Sequence, residues 1–290
     1  MADQRATPVA DTSEPTNKTS RAGRDLPAAI DVGVLLGAIA IVILLFAPSG
    51  WLVVLAVAIP TATHEVVRRL REAGYALPVI PLLIGGQAMI WLTWPWGPAG
   101  LLGAYAGTIV VCMVWRLVGH GLREQPVNYL RDISATALIA TWIPLFASFS
   151  ALLIFQDHGG SRVFSVIATV VFADIGGYVA GVLFGKHLMV PAISPKKSWE
   201  GLGGSLLFGI TASVLSVAFL LDKPAWVGVP LGLILVITGV LGDLVESQVK
   251  RDLGIKDMGT LLPGHGGIMD RIDGMLPSAV AGWIVLTLLA

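Results

Sequence analysis

Charged side chains are scarce in this 290-residue chain, at 13% of residues, about half the share of a soluble domain. Together with 55% apolar residues and a mean hydropathy of +0.79, that scarcity excludes an ordinary soluble enzyme and equally a disordered chain. Neither sign of charge prevails, since 19 Lys and Arg stand against 19 Asp and Glu. The lone cysteine, Cys112, excludes an internal disulfide and a cysteine-based metal site, and its apolar surroundings make it a small buried hydrophobe. The apolar stretches lack the alternation of a membrane barrel, and no internal repeat is visible. A secretory signal peptide is not expected, because its charged start, short apolar stretch and small-residue cleavage site are missing. The 34 glycines and 17 prolines follow no collagen period, and membrane helices tolerate both residues. What is left is an all-α, polytopic integral membrane protein.

Residues 1–27 are rich in Ser, Thr, Pro and Asp and read as a disordered cytoplasmic tail. Nine apolar segments follow, at about 28–47, 50–67, 78–94, 98–118, 133–155, 162–184, 202–221, 226–246 and 274–290. Backbone amides in lipid must be satisfied within the segment, so each segment reads as a helix. Gly and Pro punctuate the breaks, as in Trp94-Pro95-Trp96-Gly97-Pro98. The nine tryptophans sit mostly at segment ends, as an aromatic belt would. The expected organisation is an N-terminal transmembrane region over 28–160 and a catalytic transmembrane region over 161–290 carrying two cytoplasmic loops.

The charges orient the chain. Numbering the gaps alternately, one side collects the tail (Arg5, Lys18, Arg21, Arg24), Arg68, Arg69 and Arg71, and Arg116, Arg123 and Arg131. The same side holds Lys186, Lys196, Lys197, Lys250, Arg251, Lys256 and Arg271. These are 17 of the 19 basic residues, and only Arg162 and Lys223 fall opposite. Basic loops stay cytoplasmic, so the N-terminus is expected inside and the C-terminus outside, in the plasma membrane. A miscount by one segment would scramble this segregation.

Two gaps on the basic side are more than connectors. Residues 185–201 hold Ser194-Pro-Lys196-Lys197-Ser198-Trp-Glu-Gly201. Residues 242–274 hold Asp243, Glu246, Asp270 and Asp273, hard oxygen donors near the ends of the last two segments. Such donors suit Mg²⁺, which binds through one or two carboxylates and substrate phosphates. Lys250, Arg251, Lys256 and Arg271 are cations able to hold a polyphosphate. Gly264, Gly266 and Gly267 let the backbone approach a ligand. Carboxylates, cations and glycines together describe metal-dependent phosphoryl or nucleotidyl transfer. The plainer reading is a basic segment on anionic lipid, but six acidic residues among the cations argue against it.

The stretch Ser247-x-Val-Lys250-Arg251-x4-Lys256-Asp257-x-Gly259-x2-Leu262-Pro263-x-His265-Gly266-Gly267-Ile268-x-Asp270-Arg271-Ile272-Asp273 resembles the signature of phosphatidate cytidylyltransferases, also called CDP-diacylglycerol synthases, at every specified position. Ser194–Gly201 resembles that family's Ser-Pro-x-Lys-Thr-x-Glu-Gly, with Ser198 in place of Thr, and Asp174-Ile-Gly-Gly-Tyr178 resembles its Asp-Thr-Gly-Ala-Tyr. The resemblance covers about residues 174–274 and leaves the first five segments without assigned roles.

It implies that CTP and phosphatidate give CDP-diacylglycerol and pyrophosphate, with Mg²⁺ and a second, monovalent cation such as K⁺. It implies roles in catalysis for Asp243, Asp270, Lys250, Arg251, His265 and Arg271, and in substrate binding for Asp174, Ser194, Lys196, Lys197, Ser247, Lys256, Asp257, Gly266, Gly267 and Asp273. Asp243 and Asp270 are expected to hold the metal, flanking helices that meet one loop. Asp174 falls near mid-membrane, where a bare carboxylate costs about 2.5–3.5 kcal/mol, so it is expected in a polar cavity. A homodimer is implied, and no nucleic-acid partner. The alternatives are another CTP-dependent membrane lipid transferase such as a polyprenol kinase, or an ion-coupled transporter using Asp174. The Asp-Gly-x2-Ala-Arg motif of CDP-alcohol phosphotransferases is absent.

The charge segregation predicts that Ala10→Cys and Pro224→Cys react with an impermeant thiol reagent from opposite sides of the membrane. Labelling from the same side would sink the orientation.

Overall fold

The computed structural model describes residues 37–119, 121, 125–261 and 266–290. The expectations for the tail 1–27 and for His265 lie outside these residues. Among the described residues, seven helices are long and apolar enough to cross a membrane, and two shorter apolar helices accompany them. In chain order they are α1 (Gly37–Phe46), α2 (Trp51–Glu72), α3 (Val79–Trp91), α4 (Thr93–Val118), α5 (Tyr129–Ala140) running through one π-type turn into α6 (Phe146–Ile154), and α7 (Gly159–Phe184). Then come α8 (Trp199–Leu220), α9 (Gly228–Asp252), the single turn α10 (Met269–Ile272) and α11 (Met275–Leu289). Each of the nine expected segments falls on one of these helices or, for α5–α6, on a continuous pair. The count of nine crossings holds only approximately. The 13 residues of α3 rise about 20 Å, short of the roughly 30 Å of a hydrocarbon core.

One element departs from the all-helical expectation. Leu188–Val190 (β1) and Ser194–Ser198 (β2) pair antiparallel, with Leu188 opposite Ser198 and Val190 opposite Ser194. The segment between α7 and α8 is thus a short hairpin rather than an open loop. Ser198 ends it and caps α8, its Oγ accepting the Gly201 N–H at 3.1 Å. Glu200 seals the base of the hairpin. Its Oε2 accepts the amides of Lys186 and His187, both at 3.2 Å, and its Oε1 lies 2.6 Å from His187 Nδ1.

Helices α7, α8, α9 and α11 pack through small residues, as helices in lipid do. A Cβ on Gly204 would run into the Gly176 backbone, so α7 and α8 touch main chain to main chain. A Cβ on Gly242 would stand 2.5 Å from the Asp273 carbonyl, which brings α9 equally close to the α10–α11 junction. Apolar packing crosses the boundary expected near residue 160. Met258, Met269 and Leu276 share a core with α2 and α5–α6, while Leu44 and Leu153 share one with α7, α9 and α11.

Several of the basic residues between the helices are structurally engaged. Arg131 Nη2 donates to the Gly74 carbonyl at 2.6 Å, and Arg69 Nε to that of Met258 at 2.9 Å. Asp132 is buried between α4 and α5, accepting from Arg116 at 2.9 Å on one oxygen and from Arg131 at 3.1 Å on the other. Arg162 donates to the Leu286 carbonyl near the end of α11. Arg116 and Arg131 therefore fasten helices together.

Removing one partner of a buried ion pair strands the other, at about 3–5 kcal/mol. Asp132→Ala is expected to lower the thermal midpoint in detergent by about 10 °C or more. A midpoint within about two degrees of wild type would show that the network adds no stability.

Candidate active site

The polar end of the bundle encloses a cavity of about 320 Å³ between α7, α8, α9 and the hairpin, lined by Asp174, Tyr178, Lys196, Lys197, Ser198 and Asp243 among others. That volume is within the range of small-ligand pockets, roughly 300–1,000 Å³. Asp174 lines this cavity from α7, together with Lys197 and Asp243. Gly177 of α7 and Gly201 of α8, which pack closely, also line it. Lys197, half-buried on β2, reaches across to α9. Its Nζ lies 2.7 Å from Asp243 Oδ2, and the other oxygen of Asp243 accepts from Ser247 at 3.2 Å.

Asp174, Asp243 and Asp273 lie within electrostatic reach of one another. They come from α7, α9 and the junction of α10 with α11, and the Gly242 contact places the last two side by side. No set of three or more His, Cys, Asp or Glu side chains converges tightly enough to hold a metal among the described residues.

A second polar group lies beside the first. Lys250 is one turn beyond Glu246 on α9 and forms ion pairs with Glu246 and with Asp270, the latter at 3.0 Å. Glu246 is 1% exposed, and its Oε1 has no hydrogen-bond partner among the described residues. Asp270 is the knot of the segment. Its oxygens accept the amides of Met258 at 3.0 Å, Gly259 at 3.4 Å and Gly267 at 2.8 Å, besides Lys250. Gly266 turns with φ 83°, a left-handed conformation suited to glycine, close against the Asp270 carboxylate.

The two expected metal ligands therefore sit in different company. Asp243 is paired with Lys197 and neighbours Asp174 and Asp273, whereas Asp270 is engaged by Lys250 and three amides. Ser194 opens β2. Arg251 Nε donates to the Ile193 carbonyl at 3.3 Å, tying α9 to the hairpin. Lys256 and Arg271 are exposed, and Asp257 is half-buried beside Gly266.

Two residues of α2, where the sequence pointed to no site role, reach the same segment. Glu65 accepts amides of residues 268 and 269, and Arg69 holds the Met258 carbonyl. A signal for Glu65 was present: it is a carboxylate inside an apolar segment, expensive unless partnered.

The cytidylyltransferase family model matches residues 28–289. A phosphatidate cytidylyltransferase of Mycobacterium bovis is 60% identical over 284 residues, covering 95% of this chain and 93% of that protein. One of Mycobacterium leprae is 59% identical over 285 residues, covering 94% and 91%. One of Brucella melitensis is 41% identical over 140 residues, 46% of this chain and 52% of that protein. The match extends through the helices ahead of residue 174, for which the motifs were silent, and sets aside the transporter alternative. The chain belongs to the cytidylyltransferase family and is a membrane-embedded nucleotidyltransferase.

Proposed function

We propose that the chain joins CTP to phosphatidate, releasing pyrophosphate and leaving CDP-diacylglycerol in the membrane, in the cavity between α7, α8, α9 and the hairpin. The observation that carries this reading is the rim of that cavity. Lys196, Lys197 and the carboxylates of Asp174 and Asp243 meet there at the polar end of lipid-embedded helices. A water-soluble nucleotide can enter from one side while a lipid phosphate arrives from the other.

In the reaction a phosphatidate phosphate oxygen attacks the α-phosphorus of CTP in line. The new P–O bond forms as the bond to the β-phosphate oxygen breaks, and pyrophosphate carries away the electron pair. Two anions must be brought together, so the protein's part is positioning and charge neutralisation. Lys196 and Lys197 from the hairpin, and Lys250, Arg251 and Arg271 from the signature segment, supply the positive charge.

The donor set fits a divalent cation completed by phosphates rather than an all-protein cage. Three neighbouring carboxylates with one lysine in direct contact leave negative charge to be balanced. Asp243 would hold Mg²⁺, with Asp273 and Asp174 in support, and the ion would offset charge on the leaving pyrophosphate. Asp270 could serve as the second ligand only by releasing an amide or Lys250. A monovalent cation, a homodimer, a plasma-membrane location and a cytoplasmic site are included in the proposal, the orientation resting on the segregation of basic residues along the sequence.

The direct test is purified protein in detergent with labelled CTP, phosphatidate and Mg²⁺, counting lipid product. Product is expected from wild type and none from Asp243→Asn, which inserts and purifies normally. Near-native activity of Asp243→Asn with an unchanged Mg²⁺ optimum would remove Asp243 as a ligand.

The two lysines should separate in the same assay. Charge-assisted bonds contribute about 1.5–3 kcal/mol, and about 1.4 kcal/mol is one decade of rate. Lys197→Ala is expected to cut kcat/KM by roughly tenfold or more with little change in melting. Lys250→Ala should lower both, because it strands the buried Glu246. Equal melting of the two variants would contradict the different burial of the two ion pairs.

A further inference from the structure

We propose that Glu65 and Arg69 of α2 are positioning residues for nucleotidyl transfer, holding Met258, Ile268 and Met269 so that Asp270 and Lys250 stand in place at the reacting phosphates. The inference rests on the transferase reading above and adds a part of the chain that carries none of the motifs.

The geometry is a clamp with two jaws. On the inner side, Asp270 gathers the amides of Met258, Gly259 and Gly267. On the outer side, Glu65 Oε1 accepts the Ile268 N–H at 3.1 Å and Oε2 accepts the Met269 N–H at 2.9 Å. Arg69, one turn further along α2, donates from Nε to the Met258 carbonyl at 2.9 Å. It is steadied by Glu72, 3.0 Å from its Nη1. Consecutive amides leading into Asp270 are thus fixed by a side chain some 200 residues earlier in the chain.

Glu65 is 8% exposed, and each oxygen of its carboxylate receives one of these two amides. Two signature glycines lie flat on it. A Cβ on Gly267 would stand 2.5 Å from Oε2, and one on Gly259 would overlap the same carboxylate. These glycines make room for Glu65 itself, so the signature segment and α2 are shaped to each other. Neither amide that it accepts belongs to a residue lining the 320 Å³ cavity. Its influence on the reaction passes through the Met269 amide to Asp270 and from there to Lys250.

Glu65→Gln keeps the shape but replaces one acceptor oxygen with an NH₂ group facing an N–H. Arg69→Gln removes the hold on Met258 while leaving the buried carboxylate satisfied. Both are made in the full-length protein and assayed with CTP, phosphatidate and Mg²⁺. Each is expected to lower kcat and kcat/KM by the same factor, roughly tenfold or more, which marks an interaction felt in the transition state. The KM for CTP should stay near wild type, and kcat per folded molecule should fall in both variants even though Glu65→Gln, which leaves a buried N–H unpaired, also melts lower. The double variant should fall by less than the product of the two factors, since both residues act on one segment. Full kcat per folded molecule with only a lowered midpoint would overturn the proposal and leave α2 a purely structural support. Should Glu65→Gln fail to insert, Arg69→Gln decides by the same readings. A wild-type protein that makes no lipid product would instead sink the transferase reading, a failure distinct from active wild type with unaffected variants.

Discussion

The Asp270 carboxylate is the contact on which the polar end of this molecule depends. It draws three amides from an irregular segment onto one side chain and meets the ammonium of Lys250 at 3.0 Å. Lys250 in turn neutralises Glu246, which is buried on α9. In a weakly polarisable interior each of these charges alone would be costly, and together they are tolerable. The position of a loop, the end of α9 and the start of α10 are thereby decided together. Glu65 and Arg69 extend the same logic to α2.

Beneath this polar end the helices meet through missing side chains. Gly176 and Gly204 bring α7 onto α8, and Gly242 brings α9 onto the chain at Asp273. Lipid offers no hydrophobic drive between helices, so close van der Waals contact must supply the association. The consequence for chemistry is geometric. The cavity with Asp174, Lys197 and Asp243 lies between these closely packed helices and the hairpin.

Much of this was legible in the sequence. Apolar runs long enough for a bilayer marked the helices, because lipid leaves the backbone no other way to satisfy its amides. The Ser194–Gly201 stretch falls on the hairpin and helix start that line the cavity, and the 27-residue signature falls on the segment that Asp270 and Lys250 tie together. The hairpin was not legible, since Leu188–Val190 and Ser194–Ser198 are too short for any periodicity to register. Nor was the partner of each charge. Arg116 and Arg131 read as topology markers, yet both hold Asp132, because only packing brings α4 and α5 together.

The sequence by itself determined that the chain is a bundle of apolar helices long enough for a membrane, and which family chemistry it carries. These follow from composition, run length and local spacing, which need no knowledge of what touches what. Tertiary structure alone decided that Asp243 answers to Lys197 while Asp270 answers to Lys250, and that α2 reaches the signature segment through Glu65. Such pairings are set by helix crossings between residues up to some 200 positions apart, and a contact at that separation leaves no periodic trace along the chain.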